Sequence, residues 1–204
     1  MKAIDIVIIP PKDIFNLAIE ISNSIASETI EPPILLNNKN QLPHISLLMG
    51  GAEDSKIDLI WSKIETLLEV HESTFNLEIT ELKKGDHNYS FTISRTPELL
   101  AFHNSLVEEI APLLSYEVTE EHFTNSSTFN PRSADWVNNY IENSSGENFK
   151  PHITLGAHHD SMILGEKHLC SLEENLPIRF EVQHITLCHL GNYCTCAETI
   201  RSVS

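Results

Sequence analysis

The pentapeptide Pro-His-Ile-[Ser/Thr]-Leu occurs twice in this chain, once at residues 43–47 and again at residues 151–155. Each copy is apolar and β-branched and is followed by a glycine, Gly50 or Gly156, a composition that predicts a short strand ending in a turn. Because the same strand recurs once in each half, we expect the two halves to be approximate structural repeats.

Strand alternation places the histidine and the hydroxyl of each copy on one face. Side chains two residues apart in a strand point the same way. His44 therefore shares a face with Ser46, and His152 shares a face with Thr154. Each predicted strand presents an imidazole beside a hydroxyl.

This pairing admits a catalytic and a structural interpretation. The unperturbed pKa of histidine lies near neutrality, so two imidazoles can serve as general base and general acid, with the hydroxyls as phosphate donors. A lone His-x-Thr is more often a core histidine in a strand that suits threonine. Recurrence of the whole pentapeptide favours catalysis. No Walker motif or dinucleotide fingerprint occurs in the sequence to support nucleoside-triphosphate or hydride chemistry.

On these two motifs the sequence resembles the two-histidine (2H) phosphoesterase superfamily, which includes LigT-like 2′-5′ RNA ligases and 2′,3′-cyclic nucleotide phosphodiesterases. That family carries one His-x-[Ser/Thr] motif in each lobe, and His44, Ser46, His152 and Thr154 match both motifs without substitution. The resemblance implies an α+β, bilobal, pseudo-two-fold fold, in which two antiparallel sheets line a central cleft and helices lie outside.

We expect residues 1–204 to form a single bilobal domain. Length alone allows one domain or two small lobes that share a core. The order of predicted elements gives approximate repeats at residues 1–95 and 96–204, and an exchange of terminal strands between the lobes stays open.

The resemblance further implies a metal-independent phosphodiesterase that acts on a 2′,3′-cyclic phosphate or a 2′-5′ linkage. His44 and His152 would be the catalytic base and acid, in an order that the sequence leaves open, and Ser46 and Thr154 would bind the non-bridging oxygens. No cofactor and no metal are implied. The alternatives are a 2′-5′ RNA ligase and a non-catalytic module of the same fold that binds a nucleotide or phosphometabolite.

The charge of the chain limits the size of the expected ligand. With 13 basic and 29 acidic residues the formal net charge is −16, and the lack of a Lys/Arg cluster disfavours a long polyanion such as DNA. We expect a monomer that binds a small nucleotide or a short RNA end and no membrane. The basic residues that could contact this ligand are Lys150, which adjoins the second motif, Arg95, Arg132 and Arg179.

The N-terminus and the cysteines indicate a compartment. Residues 1–10 are too short and too charged for a signal or spanning segment, and they predict a first strand instead. Without a secretory signal, we expect reduced thiols and a cytoplasmic location. The cysteines concerned are Cys170, Cys188, Cys194 and Cys196.

Hydrophobic periodicity predicts the remaining elements of the first half. They are a strand at 3–9, a helix from Asp13, a helix at 57–68 and a hairpin with strands at 75–79 and 89–93 around Gly85-Asp86. We therefore place four strands and two helices in the first lobe.

The second half follows a comparable order. It predicts a helix from Pro97 to Leu113, a short helix at 136–141, and two paired strands at 178–190 and 193–203 that flank a turn at Gly191-Asn192.

Several further groups have a functional interpretation beside a structural one. Residues 184–196 hold histidines and cysteines but lack the Cys-x₂-Cys knuckle of structural zinc sites. His158-His159-Asp160 could bind a metal or line the mouth of the cleft, and a solvated loop is the simpler interpretation.

Four aromatic residues could stack on a nucleobase, although core packing is the default: Tyr89, which is the first choice, Phe123, Phe149 and Trp136. The other histidines, among them His71, His87, His103 and His122, are expected on surfaces or at element ends.

Overall fold

The computed structural model describes residues 1–26, 34–71, 74–85, 88–124, 129–157, 174–182 and 184–203. The strands in these ranges are β1 (Lys2–Ile8), β2 (Ile45–Ala52), β3 (Phe75–Lys84), β4 (Asn88–Ile93), β5 (His152–Ala157), β6 (Ile178–Val182), β7 (Ile185–Leu190) and β8 (Cys196–Val203). The α-helices are α1 (Lys12–Ala26), α2 (Ile57–Val70), α3 (Pro97–Ile110), α4 (Arg132–Asn138) and α5 (Tyr140–Ser144). His158-His159-Asp160, His87 and Cys170 lie outside the described residues.

The strands form two antiparallel four-stranded sheets. Sheet A has the order β2-β1-β7-β8, and sheet B has the order β5-β4-β3-β6. Neighbouring strands run antiparallel in both sheets. The α+β fold class with two antiparallel sheets is confirmed.

The helices form where the apolar period predicts them. In α1 the buried face consists of residues at helical spacing, Ile14, Ala18, Ile21 and Ile25. At the start of α3 the Thr96 side chain accepts a hydrogen bond from the Leu99 N–H at 3.2 Å, and Pro97 occupies the first turn. None of the helices within the described ranges is long and apolar enough to cross a membrane.

The register of the two sheets reveals how the halves repeat. In sheet A, Val7 lies opposite Ser46, and Asp5 lies opposite Met49 after a bulge. In sheet B, Ser90 lies opposite Thr154, and Asn88 lies opposite Ala157 after a bulge at the same step. β1 and β2 are therefore equivalent to β4 and β5, bulge included.

This equivalence corrects the predicted division into lobes. The four strands of residues 1–95 do not form one lobe, because β1 and β2 belong to sheet A whereas β3 and β4 belong to sheet B. β4 starts the second repeat, although it forms the predicted hairpin with β3. A hairpin has the same alternating pattern whether its two strands belong to one repeat or to two. The sequence pattern therefore could not show that β3 and β4 belong to different repeats. Each sheet takes strands from both halves.

Two strand boundaries also differ from expectation. Residues 178–190 contain two strands, β6 in sheet B and β7 in sheet A, and only β7 pairs with β8. β2 does not turn at Gly50 but continues to Ala52. A Cβ at Gly50 would lie 2.7 Å from the Leu114 side chain, so glycine serves close packing there rather than a turn.

Candidate active site

The two motif strands meet along one edge of each sheet. β2 and β5 are both edge strands, and they contact one another. α1, which follows β1 of sheet A, packs on β5 of sheet B, and α3, which follows β4 of sheet B, packs on β2 of sheet A. This reciprocal packing holds the two motifs side by side.

The first motif anchors its imidazole through the backbone just before the strand. His44 Nδ1 lies 2.7 Å from the carbonyl oxygen of Leu42. Because a carbonyl only accepts, Nδ1 carries the proton and the neutral ring keeps a lone pair on Nε2. Leu42 is held in turn, since its N–H donates to the Cys196 carbonyl at 3.1 Å.

The second motif repeats this geometry. His152 Nδ1 lies 2.9 Å from the carbonyl oxygen of Lys150, again two residues before the histidine. Nδ1 is therefore the donor here as well, and Nε2 is the nitrogen left for chemistry. The two histidines differ in burial, because the His44 side chain is 14% exposed whereas His152 is exposed.

Burial sets the protonation state of His44. Desolvation of the charged ring lowers the pKa of His44 to about 4, the Leu42 carbonyl opposes this shift, and the charge of His152 adds to it. His44 is neutral at pH 7, with a free lone pair on Nε2.

The Ser46 hydroxyl of the first motif contacts a buried carboxyl. Ser46 Oγ donates to Asp5 Oδ2 at 2.6 Å, and the same oxygen lies 4.0 Å from His44 Nε2. Asp5 is fully buried in β1, and burial raises its pKa well above the usual range, opposed by the Ser46 hydroxyl and the Leu48 and Leu47 amides. Thr154 is half-buried on β5.

His103 connects the backbones around the two motifs. Its Nδ1 donates to the Leu47 carbonyl of the first motif at 2.8 Å, and its Nε2 accepts from the Gly146 N–H at 3.3 Å. Its ring stacks on Phe149, two residues before Pro151, with ring centroids 3.9 Å apart. The prediction that His103 lies on a surface or at an element end is wrong, because the residue is fully buried within α3.

Sequence reasoning missed the roles of Asp5 and His103 in this region. A carboxylate inside the apolar run of β1 was the signal for Asp5, since a charge in a buried strand needs a reason. The signal for His103 was its place beside Phe102 on the apolar stripe of α3.

Two of the four basic candidates are paired with acidic side chains. Arg95 pairs with Glu147 at 3.4 Å, and Arg179 pairs with Glu78 at 2.6 Å. The side chains of Arg132 and Lys150 are exposed. Lys150 takes part in the second motif through its carbonyl, as the partner of His152.

Burial corrects the aromatic candidates. Tyr89 is 1% exposed on β4, so the predicted contact with a substrate base has no accessible ring there. Phe123 and Phe149 are buried, as core packing predicts. Trp136 is 49% exposed on α4, against the default expectation of burial.

The cysteine prediction needs correction as well. Cys188 of β7 and Cys196 of β8 form a disulfide, with Cα atoms 5.6 Å apart, because the two strands are neighbours in sheet A. Cys194 is a free, buried thiol. No group of three or more His, Cys, Asp or Glu residues poised for a metal is found among the described residues. The cytoplasmic location stays a prediction, without the support of reduced thiols at 188 and 196.

Comparison with known proteins places this arrangement among related chains. Residues 37–193 match the 2′-5′ RNA ligase superfamily. The protein TT0787 of Thermus thermophilus is similar in structure, with a TM-score of 0.55 and 12% identity over 99% of this chain and 97% of that chain. At this identity the likeness is one of fold.

Two further solved structures have lower scores. One described as a phosphoesterase has a TM-score of 0.49 and 14% identity over 100% of this chain and 98% of its own. E. coli LigT complexed with 3′-AMP has a TM-score of 0.48 and 14% identity over 99% of this chain and 96% of its own. No curated protein matches this chain.

Proposed function

Because the chain belongs to the 2′-5′ RNA ligase superfamily, as its two motifs predict, we propose that it is a metal-independent phosphodiesterase of small nucleotides or RNA ends. The observation that carries this proposal is the matched anchoring of His44 and His152. Both rings give the Nδ1 proton to a backbone carbonyl, and both keep Nε2 for proton transfer at adjoining sheet edges.

The difference in burial between His44 and His152 decides which ring is the base and which is the acid. His44 is neutral at pH 7, so its Nε2 can take a proton from the attacking water. His152 is exposed to solvent and its Nδ1 is held by the Lys150 carbonyl, so we give its Nε2 the delivery of a proton to the leaving oxygen. We therefore assign the base to His44 and the acid to His152.

The reaction on a 2′,3′-cyclic phosphate then balances without a metal. Water forms a bond to phosphorus and gives its proton to His44, the bond from phosphorus to one ribose oxygen breaks, and His152 protonates that oxygen. The Ser46 and Thr154 hydroxyls donate to the non-bridging oxygens, where charge increases in the transition state. Proton exchange with solvent restores both rings.

A depression of about 430 Å³ lies on the face of sheet A that carries Ser46, and we assign the nucleoside to it. Leu42, Phe15 and Thr186 are among the residues that line it. Ser46, Val7 and Thr186 lie opposite one another on adjacent strands, so Thr186 is two strands, or about 10 Å, from Ser46. That separation suits a ligand of one or two nucleotides.

The proposal is tested by turnover of a substrate panel in the presence of EDTA. The panel contains 2′,3′-cyclic nucleotides, 2′-5′-linked dinucleotides and ADP-ribose cyclic phosphate, incubated with wild type and with a His71→Ala control at the end of α2. We expect chelator-insensitive cleavage of at least one member by both proteins.

Three other results would contradict it. Cleavage that EDTA abolishes would contradict the metal-independent mechanism. Binding of a panel member without turnover would indicate the non-catalytic module, and net joining of RNA ends rather than cleavage would indicate the ligase.

A further inference from the structure

Asp5 is a buried carboxyl within reach of both side chains of the first motif. Its Oδ2 lies 2.6 Å from Ser46 Oγ and 4.0 Å from His44 Nε2. Its Oδ1 is buried and has no hydrogen-bond partner among the residues that the structure describes. An ionised carboxylate in such a place is costly, because burial removes its water, and the Ser46 hydroxyl and the Leu48 and Leu47 amides offset only part of that cost.

The groups packed against Asp5 offer no compensating positive charge. Just before β2 it faces His44, which is neutral at pH 7. Burial raises the pKa of Tyr140 on α5 and of Cys194, and the charge of Asp5 raises both further, so these groups lie close to Asp5 and stay neutral. Cys188, opposite Asp5 on β7, is in the disulfide. These surroundings favour the protonated carboxyl.

The protonation of Asp5 decides what Ser46 can offer a phosphate. A serine hydroxyl has one hydrogen and two lone pairs. A carboxylate at Asp5 takes that hydrogen and leaves only lone pairs toward an anionic phosphate oxygen. A protonated Asp5 instead donates to Ser46 Oγ, and the serine hydrogen becomes available to the substrate.

We propose that Asp5 is a positioning residue of the phosphodiester site, which in its protonated form donates to Ser46 Oγ and directs the Ser46 hydroxyl hydrogen at the substrate phosphate. This inference rests on the proposed phosphodiesterase function. It makes phosphate binding by the first motif sensitive to alkaline pH through Asp5. The second motif lacks this sensitivity, because the equivalent register position holds no buried carboxyl but the partly exposed Asn88.

The test is the pH dependence of kcat/KM in wild type, Asp5→Asn and Ser46→Ala. On the alkaline side the loss of the Asp5 proton should add one to the limiting slope with which log kcat/KM of the wild type falls. Each proton removes about tenfold per pH unit. In Asp5→Asn the side chain at position 5 cannot ionise, so the limiting alkaline slope of log kcat/KM should be one unit shallower than in wild type.

Coupling and a matched control separate positioning from a structural role. In a Ser46→Ala background, Asp5→Asn should have no further effect on kcat/KM. Asn88→Asp places a carboxyl at the equivalent, partly exposed position of the other sheet and should leave the wild-type profile unchanged. NMR titration of the Asp5 carboxyl carbon, which needs no activity, should show a protonated group at pH 6.

The outcomes distinguish this inference from the function on which it rests. A wild type that cleaves nothing in the panel contradicts the phosphodiesterase itself. An active wild type overturns the role of Asp5 if its alkaline slope is unchanged in Asp5→Asn, if Asp5→Asn has the same effect without the Ser46 hydroxyl, or if Asp5 is ionised at pH 6.

Discussion

The two motifs have the same sequence pattern and the same ring geometry but different surroundings. In each, the histidine Nδ1 donates to the carbonyl two residues earlier. His44 is nearly enclosed and its pKa is lowered to about 4, whereas His152 is exposed. The repeated residues set the geometry of the rings, and the residues that do not repeat set their protonation.

The hydroxyl positions differ in the same way. Ser46 Oγ is hydrogen-bonded to a buried carboxyl, Asp5, while the equivalent register position of the other sheet holds Asn88. A pseudo-symmetric pair of motifs thereby becomes chemically asymmetric, as a base and an acid must be.

Removing either imidazole should have the largest effect. We expect His44→Ala and His152→Ala each to lower kcat by roughly 10²–10⁴-fold, because each ring transfers a proton in the transition state. Steady-state kinetics on the preferred panel substrate measures this, with thermal melting as a check of folding. A variant that keeps wild-type kcat would remove that histidine from the mechanism.

The acid side of the pH profile separates the two histidines. The lowered pKa means that His44 keeps its lone pair as pH falls, until protonation near pH 4 removes the base. The acid limb of kcat/KM should therefore lie at about 4, with a tenfold loss per pH unit below it. An acid limb near the ordinary histidine pKa of about 6.5 would show that the base is not the buried ring.

Loss of a motif hydroxyl should cost less than loss of a histidine. We expect Ser46→Ala and Thr154→Val each to reduce kcat/KM by about 10²-fold, the usual effect of removing one oxyanion donor. Ser46→Ala removes the partner of Asp5 as well, so only this variant should alter the alkaline limb. If Ser46→Ala and Thr154→Val had the same alkaline slope of kcat/KM, the proposed difference between the two motifs would be contradicted.

His103, which contacts the backbone around both motifs, should affect the stability of the fold. His103→Ala removes hydrogen bonds to Leu47 and Gly146 and the stack on Phe149, and should lower the free energy of unfolding by about 2–4 kcal/mol. Burial lowers the pKa of His103, so its neutral form stabilises the protein above about pH 6.5 and the contribution declines as pH falls below that value. Chemical denaturation at pH 8 and pH 5 measures both effects. An unfolding free energy within error of wild type would contradict the connecting role.

The smallest expected effect compares the equivalent positions of the two sheets. The pKa of Asp5 is raised, so its contribution to stability is complete below the unfolded value near 3.9 and declines as pH rises through the folded pKa. Asp5→Asn should therefore raise the free energy of unfolding at pH 9 by on the order of 1 kcal/mol relative to wild type. Asn88→Asp, in the half-exposed position, should change stability by less than about 0.5 kcal/mol. A destabilised Asp5→Asn protein at pH 9 would show that the carboxylate is favoured.

The sequence predicts what depends on local pattern. Apolar periods predict β1, the helices α1 to α3 and the β3–β4 hairpin, and the pentapeptide predicts the two motif strands. The Pro-His-Ile-[Ser/Thr]-Leu repeat also predicts the superfamily, which the match over residues 37–193 confirms. These features need only residues that are near one another in the chain.

What the sequence does not predict depends on contacts between distant residues. The exchange of strands between sheets, the split of residues 178–190 and the Cys188–Cys196 disulfide all follow from tertiary pairing. Burial of Tyr89 and His103 and the contact between Asp5 and Ser46 belong to the same class. Alternation gives the face of a side chain, but it does not tell what covers that face.

The most direct test of the acid–base pair is a double-mutant comparison of kcat for His44→Ala, His152→Ala and the double variant on one substrate with EDTA present. If the two rings serve one transition state, each single variant should lose nearly as much activity as the double variant, because a base without its acid gains little. Independent losses that multiply in the double variant, or activity indifferent to either substitution, would contradict the account.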